Sequence, residues 1–76
     1  MAKFNPEESY SWKSEDEFAL KGGELEFMHN SLSTICNTNV APAQMYIMVY
    51  EMLRVTSDIL KRNVELGNIK PEKSPN

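Results

Sequence analysis

APAQMYIMVYEMLRVTSDILKRNVEL, residues Ala41–Leu66, reads as one long helix, with the rest of the chain as its packing partner, an arm and a tail. Pro42 suits the first helical position, where a backbone N–H has no partner to lose. Asn37, Thr38 and Asn39 just upstream are turn and cap formers. Lys61 and Arg62 lie near the far end, where cations complement the helix dipole. Gly67 then offers a left-handed residue, and Pro71 forbids the helix to resume. Such a helix is roughly 37 Å long, well beyond the average of about 11–12 residues.

Its faces carry more information than its length. Glu51, Arg54, Asp58, Lys61 and Glu65 form a polar stripe, with Arg54 and Asp58 at the favourable i,i+4 spacing. Tyr46, Val49, Leu53, Leu60 and Val64 form one apolar stripe, interrupted by Thr56. Met45, Met48, Met52, Val55, Ile59 and Leu66 form a second beside it. One partner helix covers a seam of about two residues in seven, so two stripes predict two partners. Met45–Tyr50 is apolar on every side, which requires burial, and a 76-residue chain has little else to bury it with.

A chain this short buries only about 60% of its unfolded surface and is commonly stapled or oligomeric. Its one cysteine, Cys36, excludes an intrachain disulfide framework, and no Cys/His spacing resembles a zinc site. Self-association is the remaining source of stability, a dimer rather than a trimer. An apolar share of 41% and a charged share of 25% place the chain among ordinary globular proteins. Residues 1–20 include seven charged side chains and no apolar core, so no signal peptide is expected. The run Met45–Tyr50 is far too short to span a bilayer, so no membrane partner is expected. The net charge is −3, with no basic stripe of the kind that phosphates require. A nucleic-acid partner would need Lys61 and Arg62 paired across a dimer, and it ranks below the protein-interaction readings.

Taken in order, residues 1–16 have neither helical nor strand periodicity and are expected to form an extended arm. Phe4, Tyr10 and Trp12 are many aromatics for an inert arm. Two readings follow: they fold back onto this chain's helices, or they anchor a neighbouring protein. Residues 17–21, EFALK, alternate Phe18 and Leu20 with polar positions, as a short half-buried strand would. That strand would pair near Asn68–Lys70 or with its own copy; unpaired, Phe18 and Leu20 would plug the base of the helices. Gly22-Gly23 turns the chain into a second helix at about 23–37, with Glu24 and Glu26 favourably placed in its first turn. Leu25, Met28, Leu32, Ile35 and Cys36 recur at helical spacing and predict its buried face, while Phe27 lies nearer the polar side. Two helices with a short connection make an αα-hairpin. Ile69 can complete the glycine C-cap, and disorder is expected from Lys70 on.

No catalytic pattern survives the same scrutiny. His29 and Cys36 are seven positions apart, roughly 10 Å along a helix, whereas a nucleophile–base pair needs about 3 Å. Cys36 reads as a small core residue and His29 as a part-solvated flank. Glu26 and His29 make one E-x-x-H, but a di-iron bundle needs two such motifs with two further glutamates, all pointing inward. Even a dimer with Glu51 added leaves Glu26 on the wrong side. Ser31, Ser33, Thr56 and Ser57 have no His/Asp partnership, and Gly22-Gly23 alone is not a phosphate loop. Tyr46, Tyr50 and the methionines read as core or interface rather than a ligand pocket. No enzyme activity, metal or cofactor is expected.

Residues 11–32, SWKSEDEFALKGGELEFMHNSL, carry a distinctive skeleton: Trp12, a short acidic spacer, Phe18-x-Leu20-x-Gly22, Glu24, then Phe27 and Leu32 opening a helix. The segment resembles small helical proteins of phages and mobile elements of Bacteroides-type bacteria, crAss-like phages among them. Some of those proteins are virion components. The resemblance implies a phage origin and a virion role, with residence in the virion or the host cytoplasm. It implies no functional residue.

The combined expectation is an all-α helical hairpin at 17–69, with an extended N-terminal arm at 1–16 and a disordered tail at 70–76. The long helix is expected to self-associate through Met45, Tyr46, Met48, Val49 and Met52. The arm is expected to hold a partner, such as a capsid protein, through Phe4, Tyr10 and Trp12. The functional expectation is a non-enzymatic virion accessory protein of capsid-surface or head-fibre type. The alternative is a small phage-encoded regulator that binds a host protein.

Overall fold

The computed structural model of the chain describes residues 3–71. Its elements run β1 (Tyr10–Ser11), α1 (Gly22–Asn37), α2 (Pro42–Glu65) and β2 (Lys70–Pro71). The architecture is the expected all-α hairpin, with one small antiparallel patch added.

Local chemistry explains where each helix begins and ends. The Lys21 N–H donates to Glu24 Oε1 at 2.9 Å, while the Lys21 carbonyl accepts from the Glu24 and Leu25 amides. That reciprocal bonding occupies groups an N-terminus would otherwise leave unpaired. At the other end of α1, both the backbone N–H and Oγ1 of Thr38 donate to the Thr34 carbonyl. The Asn37 side chain donates to Ser33 Oγ. Asn37 and Thr38 therefore close α1 instead of opening α2. Pro42 starts α2, and the Ala41 carbonyl accepts from the Met45 amide at 2.9 Å. On the polar stripe Arg54 pairs with Glu51 at 2.9 Å rather than with Asp58.

α2 ends in a complete Schellman motif. Gly67 takes φ +86°, its N–H donates to the Val64 carbonyl, and the Asn68 N–H donates to the Asn63 carbonyl at 2.8 Å. Glycine adopts that left-handed conformation without the strain a Cβ would bring.

The chain divides into two compact units. One joins the N-terminal segment through Ala19 to the residues from Ile59 onward; the other is Leu20–Asp58. In the first unit Ile59, Val64 and Ile69 are buried around Asn63, which is wholly inaccessible. Four hydrogen bonds satisfy its side chain. Oδ1 accepts from the Ala19 N–H at 2.8 Å and from Asn68 Nδ2 at 2.8 Å. Nδ2 donates to the Ala19 carbonyl at 3.0 Å and to the Ile59 carbonyl at 2.8 Å. The Asn63 amide thus grips both polar groups of Ala19, as a neighbouring strand would.

That grip corrects the expectation of a strand at 17–21. The Ala19 backbone is already bonded by a side chain, and Phe18 turns edge-on to Trp12 at 5.7 Å between centroids. The strand lies earlier: Tyr10 pairs with Pro71 and Ser11 with Lys70. The expected disorder from Lys70 is corrected by the same pairing, and residues 72–76 lie outside the described residues. The arm is also not plainly extended. Asn5 Oδ1 accepts from the Glu7 N–H, and the Glu8 N–H donates to the Asn5 carbonyl, an Asn-Pro turn. Asp16 closes a second turn through its Oδ2 with the Lys13 N–H at 2.9 Å.

In the second unit, α1 and the first two-thirds of α2 are joined by Thr38–Ala41. Its one buried residue is Ser31. Met28 and Ile35 on α1, and Met48, Met52 and Val55 on α2, are half-buried. Leu25, Leu32 and Cys36, expected in the core, are exposed. The buried line of α1 passes through Ser31, Met28 and Ile35, and so uses only one edge of the apolar stripe.

Candidate association surface

Between Tyr46 and Val55 the two apolar stripes of α2 meet different surroundings, whereas Ile59 of one and Val64 of the other are both buried. Met48, Met52 and Val55 share the half-buried side, and Met48 lines an open groove with Glu26, Phe27, Asn30, Ser31 and Thr34 of α1. The groove holds about 360 Å³. Tyr46, Val49 and Leu53 recur at +3 and +4 and face water, at 74%, 50% and 61% exposure. Tyr50 and Ile47 are likewise exposed. Of the five residues expected to form a self-interface, Tyr46 and Val49 stand open, Met45 is at the margin of exposure, and Met48 and Met52 are partly covered. Leu53 belongs to the open stripe and was not among them. Its i,i+4 relation to Val49 and i,i+7 relation to Tyr46 was the available signal.

The three arm aromatics do not act alike. Phe4 stacks on Tyr10 with centroids 5.3 Å apart and planes 17° from parallel. Lys61 Nζ lies 5.8 Å from the centre of the Phe4 ring, within cation–π range. The Tyr10 hydroxyl accepts from the Asn5 N–H at 3.0 Å. Phe4 and Tyr10 are half-buried in their own unit, whereas Trp12 remains 52% exposed. Leu20 and Leu66 are exposed as well.

Charge is sparse on the open stripe of α2. Arg54, a polar-stripe residue, is held above its ordinary range, first by its hydrogen bond to Glu51 and then by that carboxylate's charge. His29 and Cys36 are both exposed on α1, seven positions apart, and Glu26 lines the groove. Among the described residues, no three His, Cys, Asp or Glu side chains gather in a metal-binding arrangement. No helix among them is long and apolar enough to cross a membrane. Asn63, whose hydrogen bonds organise the first unit, escaped the sequence reading, because a polar residue on a helix usually marks its wet side. No family model, curated protein or solved structure matches the chain.

Proposed function

We propose that this chain is a non-enzymatic interaction protein that self-associates through α2 and attaches to another protein through its aromatic N-terminal segment. One observation carries the reading: the open stripe Tyr46, Val49 and Leu53 on a well-formed helix. Large apolar side chains grouped on one surface mark a contact. Trp12 is the arm's available anchor, because it stays half exposed although Phe18 meets it edge-on, whereas Phe4 and Tyr10 are half-buried against each other.

The narrower role is that of a virion accessory component on a capsid or head fibre, and it draws on the resemblance of residues 11–32. Many copies on a symmetric shell would hold by avidity even if each contact were weak. Light scattering over a dilution series tests the first part, with an expected mass near twice 8.7 kDa. A mass of 8.7 kDa at every concentration would overturn self-association. Purified particles test the second part: a component is present in many copies, and absence from them would favour the host-protein regulator instead.

A further inference from the structure

α1 is weakly held, by its composition and by its surroundings. Glu24, Leu25, Glu26, Met28 and Leu32 are its strong helix formers, and its other positions include two glycines, two asparagines and two serines. Half of the residues of α2 are strong formers. The last turn of α1 also lacks a cation to meet the helix dipole. A helix of this length and composition is marginal in water and depends on packing.

Packing gives it little. Ser31 is its one buried residue, and Leu25, Phe27 and Leu32 are exposed. Few backbone positions of α1 come close to α2. The groove that α1 shares with Met48 is open rather than filled. The end of α2 is the opposite case. Ile59 and Val64 are buried there with Ile69, around an Asn63 whose side chain is fully bonded. Each fully buried apolar side chain shifts an opening equilibrium by about tenfold or more.

We infer that α1 melts by itself, as a lid over Met48, while the last turns of α2 and the gripped Ala19 stay folded. No self-association is required. Proteins open in cooperative pieces, and the pieces with few buried apolar contacts open first. Melted, α1 stays tied at both ends: at Ala19 by the Asn63 amide, and at Pro42 by the start of α2. Melting removes the wall formed by Phe27, Asn30, Ser31 and Thr34, and Met48 is uncovered. Methionine adapts to varied contacts. α2 thereby gains further apolar surface without loss of the rest of the fold.

Amide hydrogen exchange, followed residue by residue by NMR, tests this. The Leu32 and Ile35 amides lie well inside α1 and should be at least about tenfold less protected than those of Asn63 and Val64. Equal protection would mean one cooperative opening and would overturn the inference. Gly67→Ala adds a second reading. It strains the turn that closes α2, but the space around the glycine is open, so the chain still folds. Exchange at Asn63 and Val64 should speed up by about fivefold. Leu32 and Ile35 should not change, because melting of α1 leaves that turn intact. If all four amides speed up together, α1 opens only with the whole chain and the proposal falls. If the variant leaves Asn63 and Val64 unchanged, the protection ratio in the unmodified protein still decides.

Discussion

Asn63 bears more of the first unit than its size suggests. Asn63→Ala removes the side-chain partners of the Ala19 N–H and carbonyl, at a part-buried site, and that of the Ile59 carbonyl. Losing the hydrogen bonds of this inaccessible amide is expected to cost about 1–3 kcal/mol, a large share of a small domain's stability. Urea denaturation should report that loss, and the Ala19 amide should lose its protection from hydrogen exchange. Gly67→Ala is a milder change. The space around the glycine is open, so the cost is conformational, about 1 kcal/mol from forcing Ala to φ +86°. Gly67→Asn should cost less, because asparagine tolerates the left-handed region; thermal melts of both variants would give the order. The Lys61–Phe4 contact sits at an exposed, long distance. Lys61→Ala should therefore lower stability by no more than about 0.5 kcal/mol in the same assay.

At the scale of elements, the helices were legible because helix signals are local. Pro42 and Gly67 bracket α2, and the Gly22-Gly23 pair with Glu24 marks the start of α1. The strand was misplaced because alternation in EFALK describes a half-buried segment without naming its partner. The actual pair, Tyr10–Ser11 with Lys70–Pro71, is too short to carry any pattern. Truncation after Ile69 should free the Tyr10–Ser11 segment. The Trp12–Phe18 packing nearby should loosen with it, red-shifting Trp12 fluorescence as the indole meets more water. An unchanged spectrum would show that the Asn63–Ala19 grip suffices to hold the segment.

For the whole molecule, the proposed association rests on the apolar surface left open at Tyr46, Val49 and Leu53. Association driven by it should be insensitive to salt, since the side chains involved are uncharged and screening acts only on charge. It should weaken on cooling, as apolar burial does. Light scattering at low and high salt and at two temperatures checks both; strong salt dependence would point instead to the charged polar stripe around Arg54.

The two helices, their ends and the two apolar stripes of α2 can be read along the chain, because periodicity, proline and glycine act over a few residues. The sequence also made plain that a short chain with so apolar a helix has more to cover than to cover it with. Which stretch of each stripe is covered follows only from packing. Met48, Met52 and Val55 turn inward, while Tyr46, Val49 and Leu53 face water. Only the tertiary structure, too, gave Asn63 its role, since its amide meets Ala19 across 44 positions of chain. No local pattern reports a hydrogen bond that closes so long a loop, and helical spacing alone cannot choose between two adjacent stripes of equal apolarity.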